Sequence, residues 1–170
     1  MIKILELMQS TKLKVNWTTI LVGWKGFGKF SRQFSSKDVI DYAVEVASND
    51  DKQPEETWEL AGLNNSESEN ITGLLERLSQ KEEHKEQDEF RKWRAILTKQ
   101  LLTKLPNDYL EGLIAITDFW DKFQFPDDSP HIVQGRNNEI SPTEYYSQEN
   151  YLKLIEAHKR WVDDEISKLV

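Results

Sequence analysis

The sequence predicts an all-α protein: an irregular bundle, or a short stack of antiparallel helix hairpins, with a long ordered loop before the C-terminal helix. Three observations predict it. The segments Glu82 to Leu105 and Tyr151 to Leu169 carry apolar residues at spacings of three and four, the period of a helix with one buried face. The breaks between periodic segments are short and rich in Pro, Asn, Asp and Gly, and a short connection favours antiparallel neighbours. A chain of 170 residues also suits one hydrophobic core, so a single helical domain spanning 1–170 is expected.

In residues 1–8, Ile2, Leu5 and Met8 share a helical face, although so short an apolar run fits a strand nearly as well. Asn16 is placed to cap a helix carrying Trp17, Ile20, Leu21 and Trp24. Gly23 weakens that helix, and Gly26 with Gly28 ends it. The glycines alternate with aromatic and basic residues up to Phe34. They lack the third glycine and the strand-to-helix setting of a dinucleotide site, and the Gly-Lys-Ser/Thr ending of a phosphate loop. A loop whose aromatics tuck into the core is expected instead.

Ser35 with Asp38 resembles a capping box, with Ser36 as the other choice of cap. The helix that follows runs to about Ser48 and buries Val39, Ile40, Ala43, Val46 and Ala47, with Val44 adding to that face. Pro54 suits a first helical position, and the short helix Glu55 to Ala61 places Trp58 and Ala61 on one side. Ser66 or Ser68 caps the next helix, Glu69 to Ser79, with Ile71, Leu74, Leu75 and Leu78 as its stripe.

The central helix is extended back to Glu82 because Glu, Gln and Lys favour helix. Phe90, Trp93, Leu97 and Leu101 form its stripe, widened by Ile96, Leu102 and Leu105. Its acidic start and basic end suit the helix dipole. Leu105-Pro106 breaks it, and Asn107 or Asp108 caps a helix burying Leu110, Leu113, Ile114, Thr117, Phe119 and Trp120. Gly112 either admits a second helix closely or sits exposed. Residues 121–148, with Pro126, Pro130 and Pro142, read as a loop pinned by Phe123, Phe125, Ile132 and Tyr145. Long ordered loops often carry function. In the final helix only His158 and Glu165 interrupt the apolar stripe.

Cysteine is absent, which excludes disulfide and thiolate chemistry and fits a reducing compartment. No apolar run is long enough for a bilayer, and the N-terminus lacks the order of a signal peptide. A cytoplasmic protein with no membrane partner is expected. The net charge of -8 is uneven: residues 1–37 hold seven basic groups and one acidic group, residues 38–89 four basic and sixteen acidic. An acidic middle disfavours nucleic acid and suits a basic protein partner. The oligomeric state is left open.

His84, His131 and His158 stand in no metal-ligand frame, and Asp127-Asp128 near His131 lacks the spacing of a calcium loop. No cofactor, metal or catalytic residue is predicted. Glu82, Glu83, Glu86 and Glu89 are expected to form the outward acidic face of the central helix, indifferent to folding. With Asp50, Asp51, Glu55 and Glu56 they are the candidate protein-binding residues. Arg94 needs a carboxylate partner, for which Asp118 or Asp121 is nearest at hand. His158 reads as a core-edge histidine with a satisfied ring nitrogen.

Several short features together resemble a bacterial family, domain of unknown function 2247. They are the Trp17 to Gly23 segment, Val39-Ile40-Asp41-Tyr42-Ala43, Lys92-Trp93-Arg94, and Phe119-Trp120 running into Phe125-Pro126. The family has no established activity to carry over to a residue. Small acidic proteins of this general kind often resemble immunity proteins of bacterial toxin systems. The acidic middle, the absence of catalytic motifs and the single-domain size favour a non-enzymatic binding module, for which that class resemblance implies an immunity protein; a structural or regulatory helical module, or an enzyme built on carboxylates and His131 or His158, are the alternatives.

Overall fold

The computed structural model describes residues 3–64, 68–83 and 85–170. Among the described residues there are nine helices and no strand, so the protein is all-α. The chain divides into two compact units. One runs to Trp93 and takes in Leu169–Val170; the other is Arg94–Lys168.

The first unit opens with α1 (Lys3–Ser10), which settles the helix-or-strand choice and buries Ile4, Leu5 and Met8. Ile2, expected on that face, lies outside the described residues. In α2 (Trp17–Lys25) Asn16 is the cap: its Oδ1 accepts Thr19 N–H at 2.8 Å, and Thr19 Oγ1 accepts Asn16 N–H at 3.2 Å. Gly26, at φ 77°, ends the helix in the left-handed region that glycine tolerates. Gly23 has a use the sequence did not reveal. A Cβ there would lie 2.4 Å from the Trp93 ring and 2.5 Å from Phe34, so the glycine is the notch that admits both rings. Phe27 and Phe34 are buried, as expected of the loop, and Arg32 sits 3.5 Å over the Trp24 ring.

Ser35 and Asp38 form the capping box of α3 (Ser36–Asn49), which buries Val39, Ile40, Ala43 and Ala47. Val44 is exposed rather than inward. In α4 (Glu55–Gly62) the inner residues are Thr57 and Leu60, and Trp58 is 47% exposed. The side that carries Trp58 and Ala61 is therefore not the buried one. The rotation that seats Leu60 also brings Glu56 to Arg77 of α5 (Ser68–Gln80) and to Lys81 just beyond its end. Ile71, Leu74, Leu75 and Leu78 of α5 are all buried, as predicted. Ser66 lies outside the described residues, and Ser68 begins α5.

The central helix, α6, is Glu86–Leu102 and not Glu82 to Leu105. His84 lies outside the described residues. Trp93, Ile96 and Leu97 are buried, joined by Ala95 and Thr98. Phe90 is largely exposed, its ring meeting Phe27 edge-on at 6.5 Å.

The second unit holds the rest of α6, then α7 (Tyr109–Lys122), α8 (Pro142–Tyr145) and α9 (Gln148–Leu169). Asp108 caps α7 through Glu111 N–H at 2.9 Å. The buried face of α7 is Gly112, Leu113, Ile116, Phe119 and Trp120, while Leu110 and Ile114 are exposed. Gly112 explains the turn of that face. A Cβ there would fall 2.2 Å from the Tyr151 ring, so α7 presents its glycine to α9 at close range. Tyr151 then donates its hydroxyl to Pro106 O at 2.7 Å.

The long loop is ordered by hydrogen bonds as well as apolar pins. Tyr145 is buried and donates to Ile132 O at 3.0 Å, whereas Ile132 itself is exposed, against expectation. Ser141 and Glu144 form the capping box of α8.

Candidate functional site

The structure divides the eight predicted carboxylates by what surrounds them. Glu82 lies outside α6 and is half-buried. Its carboxylate accepts Trp17 N–H at 2.9 Å and Thr18 N–H at 3.0 Å. It thus places an anion on the positive end of α2. Glu89 is 3% exposed and Lys92 6%. The two pair at 2.7 Å, Thr19 donates its hydroxyl to Glu89 at 2.7 Å, and Asn16 Nδ2 donates at 3.1 Å. Lys92 Nζ also donates to Lys14 O at 2.8 Å.

The expected outward face of four glutamates is therefore corrected. Only Glu83 and Glu86 are exposed. The N-terminal end of α2, with its unfilled backbone donors, draws Glu82 inward, and the side chains of Asn16, Thr19 and Lys92 draw in Glu89. Glu56 is likewise occupied, with its side chain 13% exposed between Lys81 and Arg77. Asp50, Asp51 and Glu55 are exposed as predicted, Asp50 receiving Lys52 N–H at 3.0 Å.

Sequence reasoning missed Trp58. On α4, Glu55 precedes it by three residues and so shares its side of the helix. Glu56 and Glu59 turn the other way, to Arg77 of α5 at 3.8 and 3.6 Å. The result is a large exposed indole with a carboxylate beside it, on a helix fastened from behind. Between α4 and α5 a groove of about 400 Å³ is lined by Glu59, Glu69, Asn70, Gly73 and Arg77. The available signal was the density of acidic residues around one tryptophan.

In the second unit, His158 is fully buried between two partners. Its Nε2 accepts Trp120 Nε1–H at 2.7 Å, and its Nδ1 lies 2.6 Å from Leu154 O. A carbonyl only accepts, so the proton is on Nδ1 and the imidazole is neutral. Burial holds its pKa down to about 4. With both nitrogens engaged, His158 is a core histidine, as read from sequence, and has no lone pair to offer as a base.

The ring of His131 lies 6.2 Å from that of His158 and stacks on Phe125 at 6.1 Å. Its Nε2 is 3.2 Å from Thr117 Oγ1. Thr117 gives its own proton to Leu113 O at 2.9 Å, so it accepts from Nε2–H and the lone pair falls on His131 Nδ1. That nitrogen is buried without a partner. Burial, followed by the neighbouring His158, holds the His131 pKa down to about 4.

Arg94 finds its carboxylates in Asp128, bidentately, with one bond at 2.9 Å, and in Glu165 at 3.9 Å. The expected partners, Asp118 and Asp121, are not the ones used. Asp128 is brought within reach because the loop turns back at Gln124 and Phe125, both at positive φ. The Arg94 guanidinium also lies 5.1 Å over Trp161. Among the described residues no group of three or more His, Cys, Asp or Glu side chains converges as metal ligands do. Nor, among them, is any helix long and apolar enough to cross a membrane.

Fold and surface together define an all-helical protein with no assembled nucleophile–base pair among the groups described above. The chain belongs to a bacterial family: residues 5–166 match the family described as uncharacterized protein conserved in bacteria, DUF2247. No curated protein and no solved structure matches it.

Proposed function

We propose that the protein is a non-enzymatic binding module whose partner is a basic protein. The observation that carries this reading is Trp58, 47% exposed on a helix otherwise anchored by Leu60 and the Glu56 ion pairs. Exposed Trp is the residue type most enriched among the few that dominate binding energy at protein interfaces. Glu55, and Asp50 with Asp51 in the preceding turn, supply negative charge in the same stretch of chain, and the segment 38–89 carries sixteen acidic groups against four basic. Such a field speeds encounter with a cationic surface and disfavours nucleic acid. Within that class the best-fitting role is an immunity protein that neutralises a basic bacterial toxin.

The test is affinity capture from native cells, with the wild-type chain and with Trp58→Ala as baits in parallel. A basic protein retained by wild type at low salt, lost at high salt, and retained at least about tenfold less by Trp58→Ala is expected, since a central interface Trp contributes roughly 2 kcal/mol or more. Equal retention by the two baits, or no retained basic protein, overturns the proposal.

A further inference from the structure

The loop between α7 and α8 shapes an open cleft of about 340 Å³, at the small end of the range of ligand pockets. Its walls are held in place from within the loop. Asn138 spends its whole amide on this. Its Oδ1 accepts Gly135 N–H at 3.1 Å and Ile140 N–H at 3.2 Å, and its Nδ2 donates to Val133 O and Arg136 O, both at 2.9 Å. Gln134 Nε2 adds a bond to Ile140 O at 3.0 Å. Gly135 and Asn137 supply the left-handed backbone that such a tight return needs. Four of the loop's backbone groups are thereby satisfied by one side chain, which is the construction of a preformed cup.

The lining carries one charge of each sign. Arg136 contributes a guanidinium, which lies 5.6 Å over the Phe125 ring. Asp127 contributes a carboxylate. Both are exposed at the rim of the cleft, and among the described residues no ion pair is formed by either, with each other or with a third group. Ile132, Val133 and Ile140 give apolar wall. His131 lines the cleft as a neutral imidazole.

A cation, a separate anion and apolar wall around one small volume complement a ligand with the same three parts. A guanidinium takes a carboxylate through paired N–H donors, and a carboxylate takes an ammonium through charge-assisted hydrogen bonds. We infer that this cleft is a binding site for a small zwitterion, a free amino acid with an apolar side chain. The carboxylate goes to Arg136, the ammonium to Asp127, and the side chain to the Ile132–Ile140 wall. This site is independent of Trp58 and of the protein-binding reading.

The experiment is titration of the full chain with L-leucine, L-alanine and glycine at millimolar concentration, followed through the His131 ring resonances. His131 lines the cleft and so reports occupancy directly. A saturable shift is expected for leucine, weaker for alanine and weakest for glycine. N-acetyl-leucine, which lacks the ammonium, and leucinamide, which lacks the carboxylate, are each expected to bind about tenfold more weakly, the loss of one charge-assisted contact. Arg136→Gln is expected to weaken leucine about tenfold while leaving leucinamide unchanged. Both charged side chains are exposed, so the variant keeps its fold, which the backbone amide spectrum checks. The absence of any saturable shift overturns the inference. So does equal binding of leucine and its two singly charged derivatives, or indifference of leucine to Arg136→Gln.

Discussion

Two polar clusters, one in each unit, are buried by opposite means. In the first, Glu89 and Lys92 lie in the core as a carboxylate and an ammonium. In the second, His158 lies in the core and His131 lies half-buried beside it, both as neutral rings with pKa values near 4. The difference follows from what surrounds each. Glu89 has Thr19, Asn16 and Lys92 as donors, and Lys92 has Lys14 O and Glu89 as acceptors. Every ionised group there is met. His158 has a carbonyl and an indole N–H, which fit one neutral tautomer and leave nothing for a second proton. A buried ionisable group keeps its charge where counter-groups converge and sheds it where they do not.

The largest effect is expected from breaking the charged side of this comparison. Glu89→Ala leaves the Lys92 ammonium buried without its carboxylate and removes an acceptor from Thr19 and Asn16. A loss of about 3–5 kcal/mol in urea unfolding is expected, the magnitude typical of an orphaned buried charge. The double variant Glu89→Met with Lys92→Met, which removes both charges and keeps volume, is expected to lose much less. A single variant within about 1 kcal/mol of wild type would mean that the pair is not held as described.

The neutral side is sharpened by pH. The two histidines have folded pKa values near 4 against an ordinary value of 6.5. Between those values the unfolded chain binds protons that the folded chain refuses. Stability is therefore full above about pH 6.5 and falls as pH drops toward 4. For His158, which is wholly buried, the loss across that window is about 3 kcal/mol. Denaturant titration at pH 7, 6, 5 and 4.5 measures it. His158→Gln, which can accept from Trp120 and donate to Leu154 O, is expected to flatten the profile. A wild-type profile already flat from pH 7 to 4.5 would count against both rings being neutral and buried.

The same contrast explains how much was legible in the sequence. Periodicity locates an apolar stripe, so α5 was read correctly residue by residue, and local capping chemistry located the starts of α2, α3 and α7. His158, on a clear stripe, was read as a core histidine. Residues with long-range partners were not legible. Glu82 and Glu89 look like solvent-facing acids because, Lys92 apart, the donors they meet lie 64 to 73 residues earlier in the chain. Glycines are only partly legible for a related reason: close helix approach is one of two readings open at Gly112, and the notch at Gly23 is not legible at all. Gly23 and Gly112 mark places where an aromatic ring from elsewhere fills the missing side chain. In α7 the ring of Tyr151 at Gly112 turned the whole face, sending Leu110 and Ile114 outward. Of the candidate binding residues, Asp50, Asp51 and Glu55 are exposed, which their acidity made legible, but the exposure of the Trp58 indole was not. A tryptophan on a short amphipathic helix is ordinarily inward, and only the competing burial of Leu60 shows otherwise.

That competition supplies the smallest expected effect. Within α4, Leu60 and Trp58 are two residues apart, so they point to well-separated sides of the helix. Leu60 has no exposed surface, and Leu60→Ala is expected to cost about 2–5 kcal/mol by loss of apolar contact and the cavity left behind. Trp58→Ala is expected to change stability by no more than about 0.5 kcal/mol, because nearly half of the indole faces solvent and no buried partner depends on it. Paired urea titrations of the two variants give the comparison. A residue the size of Trp that is dispensable for folding leaves its exposed apolar area to be accounted for by something other than the core. A Trp58→Ala loss approaching that of Leu60→Ala would assign the indole a structural role, and would remove the main support for a binding surface on α4.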